Sequence, residues 1–150
     1  MVTQSLTWNM ITDMNLCPCT SGKPYKDCCQ PFHKGKAPET AVLLMRSRFS
    51  AYALSKVGYI LKTHHPTSLK KDKNIVTFRK ELKHFCAHTS FLGLKILDEA
   101  QLAEDKATVT FYAVLMQNGV DASFTECSLF EKENGRWLYV RAMKGNSWGK

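Results

Sequence analysis

The first fifteen residues hold neither a basic leader nor a sustained apolar run, so they read as neither a secretion signal nor a membrane anchor. The expected setting is the cytoplasm, where thiols stay reduced. The second half of the chain holds no internal repeat and no low-complexity stretch. No local grouping of nucleophile, base and orienting group occurs, so the chain does not declare itself an enzyme. Acid is in short supply: 13 Asp and Glu stand against 21 Lys and Arg, a formal charge of +8. Such a balance favours anionic partners such as RNA, acidic proteins or phospholipid without choosing among them. The basic stretches carry no interleaved aromatics, which leaves non-specific contact as the only nucleic-acid role they suggest.

Cysteine is concentrated in one place. Residues 17–29 read CPCTSGKPYKDCC, so four of the six cysteines fall within thirteen residues, as C-x-C-x8-C-C. Neither Cys17 with Cys19 nor Cys28 with Cys29 closes a disulfide without straining the backbone, whereas two such pairs brought together surround one tetrahedral ion. Pro18 stiffens the first pair, and Ser21-Gly22 is a turn in which Gly22 takes a positive φ. Thiolates favour zinc and also accept ferrous iron. Cys17, Cys19 and Cys28 are the expected ligands, with Cys29 as the fourth and His33, read as solvent-exposed, as its alternative. Two disulfides joining the ends of the knuckle are the competing reading. The isolated Cys86 and Cys127 read as small buried side chains.

A short basic linker with a glycine at position 35 separates this knuckle from the main body of the chain, giving a segment 1–36 and a domain 37–145. Glu39-Thr40 opens a helix with Ala41, Leu44, Met45, Phe49 and Tyr52 on one buried face. Ser55 is expected to cap a second helix through Val57, Tyr59, Ile60 and Leu61 that ends before Pro66. Ile75, Phe78, Leu82 and Phe85 form the stripe of a third. The period then changes to two. Segments 91–97, 106–116, 122–130 and 136–141 read as four antiparallel strands, with turns at Glu104-Asp105, Asn118-Gly119 and Asn134-Gly135. Helices followed by a meander imply an α+β fold.

The knuckle resembles the SEC-C motif, the small zinc-binding tail of the SecA translocation motor. With the segments PETAVLLMRSRFSAYALSKVGYILKTHHP, FLGLKILD and FTECSLFEKENGRWLYV behind it, the whole order resembles the YchJ family. That resemblance implies a nuclear transport factor 2-like, or cystatin-like, cone: about three helices on a curved four-stranded sheet. It also suggests a link to protein export or translation, with an export chaperone or the ribosome as partner. Thr20 and Gln30 stand where the motif usually has glycine. Many members of the family carry a second SEC-C motif at the C-terminus, whereas no cysteine follows Cys127 in this sequence.

A cone closed by helices offers a pocket, and a fold of this kind hosts enzymes and inert modules alike. Tyr52, Tyr59, His65, Tyr112, Glu126 and Trp137 are candidates to line it, with Glu126 beside His65 as a possible proton-transfer pair. The plainer alternative pairs Glu126 with Arg46 or Arg48 and leaves the aromatics in the core. His64-His65 reads as a helix-end cap, with His65 on terminal carbonyls. Apolar Trp8, Met10, Ile11 and Met14 are expected to form a helical turn or pack on the domain. Lys70, Lys71 and Lys73 form a basic run that can join Lys23, Lys26, Lys34 and Lys36 in one patch. The leading reading is a cytoplasmic metal-binding interaction module contacting its partner through Lys23 and Lys26. A pocket enzyme or small-molecule binder and non-specific RNA binding are its rivals, and pairing of two copies through the sheet is a further possibility.

Overall fold

In the computed structural model, which describes residues 15–69 and 74–143, five helices precede a sheet. They are α1 (Gln30–His33), α2 (Ala41–Ala53), α3 (Val57–Lys62), α4 (Pro66–Leu69) and α5 (Ile75–Ala87). The strands are β1 (Ser90–Ala103), β2 (Lys106–Gln117), β3 (Val120–Asp121), β4 (Phe124–Glu133) and β5 (Arg136–Ala142). The sequence counts of three helices and four strands are therefore too low. Helices α1 and α4 are single turns too short to leave a periodic signal. The second expected helix ends before Pro66, at Lys62, and Pro66 itself starts the short α4, where a missing N–H costs nothing. The expected strand over 122–130 begins at Phe124 and a two-residue strand, β3, precedes it, because the Ser123 hydroxyl accepts the Leu115 amide at 3.0 Å and interrupts the pairing with β2 between β3 and β4. Trp8, Met10, Ile11, Met14, Lys70, Lys71 and Lys73 lie outside the described residues.

Local chemistry explains most boundaries. The Thr40 hydroxyl accepts the Leu43 amide at 3.1 Å and Asn74 accepts the Thr77 amide at 2.8 Å, so both long helices begin with a side-chain cap. Ser55 does not cap α3 as expected. It sits at φ 58 just beyond α2, with its amide on Tyr52 O and the Lys56 amide on Ala51 O at 2.7 Å. That pair of bonds is a Schellman close, and serine occupies the left-handed position usually given to glycine. Asn118-Gly119 and Asn134-Gly135 have positive φ at both residues, as two-residue hairpins demand.

The antiparallel sheet runs β1-β2-β4-β5, with β3 paired to β2. Ala107, Val109, Phe111 and Ala113 of β2 face inward and are buried, as their alternation predicts. Leu44, Ile60, Val109 and Phe130 are fully buried; each contributes about 1.5–3 kcal/mol of hydrophobic stabilisation. The expected one-sided burial of α2 is not what forms. Eight of its thirteen residues are buried, including Ser47, Arg48 and Ser50. The reason lies in what covers it: the sheet takes one side and the knuckle the other. Cys17, Cys19 and Cys29 belong to the same core cluster as Leu44, Phe49, Phe130 and Trp137, so the knuckle is part of the core and not an appendage. Among the described residues, no helix is long and apolar enough to cross a membrane.

Candidate metal centre and cavity

The knuckle closes on itself before it meets the domain. The Cys17 amide bonds Lys23 O at 2.9 Å, Leu16 bridges Pro24, and Gly22 takes φ 92 to make the reversal. A short 3-10 turn over Tyr25–Asp27 then delivers Cys28 and Cys29 opposite the first pair. All four sulfurs lie within 4.8 Å of one another. Sγ of Cys28 stands 3.6 Å from that of Cys19 and 3.9 Å from that of Cys29. Four sulfurs placed ~2.3 Å from a tetrahedral ion stand about 3.8 Å apart, so the donor set fits such an ion. No disulfide joins Cys17, Cys19, Cys28 and Cys29, so the disulfide alternative does not form.

Charge makes the same demand. Burial pushes Cys28 up to about 11, and hydrogen bonds with Cys17 and Cys19 raise Cys29. Cys19 moves the other way, because Cys17 and Cys29 donate to it. Thiols this crowded ionise together only around a cation. Polar neighbours surround them: Ser50 Oγ lies 3.2 Å from Cys17 Sγ, and Ser21 Oγ 3.1 Å from Cys28 Sγ. Arg46 Nη1 donates to the Cys19 carbonyl at 3.1 Å and approaches its sulfur at 3.7 Å, bringing a positive charge to a site of four thiolates. His33 is partly buried and not solvent-exposed. Tyr25 Oη lies 2.6 Å from its Nδ1, while Nε2 donates to Ser47 O at 2.8 Å. With both ring nitrogens engaged, it drops out as the fourth ligand.

Beneath α2 the sheet encloses a cavity of about 620 Å³. Phe49, Tyr52, Phe85, Phe91, Phe111 and Phe124 supply aromatic walls. Polar groups also line it. Glu126, only 5% exposed, accepts hydrogen bonds through Oε2 from Ser128 at 2.6 Å and from Tyr139 at 3.2 Å. Arg48, 4% exposed, donates to Ile60 O and Thr63 Oγ1 and lies 4.7 Å from the Tyr139 ring centre. Burial and then the Glu126 charge hold the Tyr139 phenol far above its ordinary range, so it stays a donor. His64 gives its Nδ1 proton to Ile60 O at 3.0 Å. Burial and then Arg48 lower its pKa to about 4, so the imidazole is neutral near pH 7.

Of the sequence candidates, Tyr52 and Glu126 line this cavity while His65, Tyr59, Tyr112 and Trp137 do not. The proposed Glu126–His65 pair does not assemble. His65 Nδ1 accepts the Thr67 amide, and its Nε2 donates to Glu133 at 2.6 Å. It is His64, not His65, that reaches a helix-terminal carbonyl. Tyr59 bonds Ser47 Oγ at 2.7 Å, and Trp137 Nε1 donates to Glu39 O at 3.3 Å. Arg46, a proposed partner of Glu126, stands at the cysteines. Arg48, His64, Ser128 and Tyr139 escaped the sequence reading as cavity groups; the one available signal was that Glu126 and Ser128 share a face by their period of two. Lys23 and Lys26 are exposed on the knuckle.

Comparison with known proteins accounts for both parts. Residues 15–31 match the SEC-C motif, and residues 40–142 match the family model described as YchJ, middle NTF2-like domain. A UPF0225 protein of Actinobacillus succinogenes is 38% identical over 128 residues, covering 83% of this chain and 79% of the relative. One from Bordetella pertussis is 40% identical over 128 residues, covering 83% and 89%. A SEC-C motif containing protein from Rhodopseudomonas palustris, solved in solution, superposes with a TM-score of 0.74 at 31% identity, covering 85% of this chain and 96% of that one.

Proposed function

We propose that this chain, which belongs to the YchJ family, is a small-molecule-binding protein whose SEC-C knuckle holds a structural zinc ion. The observation that carries the reading is the cavity: about 620 Å³, walled by aromatic rings, with Arg48, Glu126 and Tyr139 converging inside it. Ligand sites have this size and this mixture of apolar wall and few fixed polar groups. The ligand is a largely apolar ring or short chain bearing one hydroxyl or carbonyl, because the buried cation and the buried carboxylate balance each other and call for no net charge. Zinc suits an all-cysteine tetrahedral set, and four thiolates leave no open position to activate water, so the ion has a structural part. A cytoplasmic setting goes with cysteines that form no disulfide.

The test titrates the metal-loaded protein with 2-naphthol, an apolar bicycle with one hydroxyl, and follows amide shifts by NMR. Saturable shifts at Phe49, Tyr52, Ala113 and Glu126 are expected, and Ala113→Trp, which fills the cavity, should abolish them. Tyr139→Phe should weaken binding about tenfold if it removes one hydrogen-bond donor in a charged network. Shifts that never saturate, or that survive Ala113→Trp, would sink the proposal. A second reading, capture of an acidic protein partner, draws on the exposure of Lys23 and Lys26. Loss of a captured partner from the double charge reversal Lys23→Glu with Lys26→Glu, with the cavity titration unchanged, would favour it.

A further inference from the structure

A second, smaller recess of about 140 Å³ lies between the linker after α1, the end of α3, and β5. Its lining includes Pro38 and the rings of Tyr59 and Trp137, and three cations, Lys36, Lys62 and Arg136, stand around it. Among the described residues, no acidic side chain lines it. Each cation is steadied without a counter-charge. Lys36 Nζ lies 6.0 Å from the Phe32 ring centre, Lys62 Nζ 5.6 Å from that of Tyr59, and Arg136 Nη2 donates to Gly35 O at 3.4 Å. Among the described residues, no ion pair joins any of the three to an acid. Three such charges around one recess repel each other and attract an oxyanion. The field extends inward, since Lys56 and Lys62 add to the burial that lowers His33.

We propose that this recess binds the terminal phosphate of a phosphorylated small molecule. Its volume has room for roughly four or five waters at ~30 Å³ each, enough for a phosphate group and too little for a nucleotide. The rest of the ligand therefore extends outward. Three cations suit a dianionic monoester better than the single charge of a diester, and a recess of this size takes a chain end and not a continuing backbone. The site is separate from the cavity beneath α2: neither Lys36, Lys62 nor Arg136 lines that cavity.

Phenyl phosphate, dimethyl phosphate and a short oligouridylate are titrated in turn into the metal-loaded, ¹⁵N-labelled protein. Phenyl phosphate should give saturable shifts at Thr63, Arg136 and Trp137. Dimethyl phosphate should bind at least fivefold more weakly, and Lys62→Gln or Arg136→Gln should each weaken phenyl phosphate fivefold or more while leaving the remaining spectrum in place. Lys23→Gln is the control and should change nothing. Shifts spread equally over Lys23 and Lys26, or a diester or oligouridylate binding as well as the monoester, would overturn the assignment.

Discussion

Thr20 occupies a backbone position that suits glycine, and substituting it separates two opposed effects by sign. Its φ is 59, a left-handed conformation that costs a β-branched residue ~1–2 kcal/mol. Against that, its hydroxyl accepts the Leu94 amide at 3.1 Å and has one proton to give, to Leu94 O at 3.0 Å or Cys19 O at 2.6 Å. Leu94 lies in β1, the edge strand, and its outward N–H and C=O find in Thr20 the partner that a further strand would provide. Thr20→Gly relieves the strain. It also gives up two hydrogen bonds at about 1 kcal/mol each and adds the ~0.5–1 kcal/mol that glycine costs in backbone entropy. The net is a loss of about 1 kcal/mol, or roughly 3–5 °C in Tm for a domain of this size. Thr20→Val keeps the strain and loses the hydroxyl, so it should be worse, at about 2 kcal/mol. Urea unfolding of the metal-loaded proteins, with exchange of the Leu94 amide as the local probe, measures both. A Thr20→Gly protein as stable as the parent or more so, with Leu94 exchange unchanged, would refute the idea that the hydroxyl closes the sheet edge.

Two more outcomes are expected from buried chemistry. Because Cys17, Cys19 and Cys29 share the core with α2 and the sheet, chelation should lower the melting temperature of the whole domain. Occupancy at a thousandfold above the dissociation constant is worth about 4 kcal/mol, and far-UV circular dichroism should register its loss; an unchanged melt after complete metal removal would contradict the shared core. His64 is held at about 4 by burial and Arg48, below its unfolded value of about 6.5. The unfolded chain therefore binds the extra proton first. His64 contributes stability that is full above pH 6.5 and falls away toward pH 4, up to ~3 kcal/mol in all. Its C2 proton resonance should titrate near pH 4, and a midpoint above 6 would show the imidazole is not buried against Arg48.

What the sequence made legible was local. The C-x-C-x8-C-C spacing placed four thiols together because thirteen residues and one glycine turn are enough to do so. Asn118-Gly119 and Asn134-Gly135 declared their hairpins for the same reason, and the stripe of Ile75, Phe78, Leu82 and Phe85 declared α5. The cavity was legible only through Tyr52 and Glu126, because its other polar groups come from far apart: Arg48 from α2, His64 after α3, Ser128 from β4, Tyr139 from β5. No spacing rule joins them. Ser55 misled because serine before an apolar run usually caps a helix, whereas here a Schellman close needed the position. His33 misled because its partner, the Ser47 carbonyl, is a helix backbone atom that only tertiary packing brings within reach.

Both sites depend on the same thirteen residues of α2. Arg46 holds Cys19, Ser50 touches Cys17 and the Ser47 carbonyl holds His33, so one side of the helix is built around the knuckle. Met45, Arg48, Phe49 and Tyr52 line the cavity on its other side. Sequential residues alternate between the two sites within a single turn, and a helix that close-packed on both faces moves as a unit. If the knuckle holds an ion as proposed, chelation is expected to leave four crowded thiols that do not all stay ionised and to loosen the contacts of Arg46 and Ser50 first. A displacement of α2 would carry Arg48 and Phe49 with it. By linkage, 2-naphthol is expected to bind the metal-loaded protein more tightly than the chelated one, and to raise the affinity for metal by the same factor; equal binding to both forms in the NMR titration would refute the coupling. The polar residues buried in α2 are thus what two sites on opposite faces of one helix require, which also explains why the helix lacks the one-sided pattern expected of a surface helix.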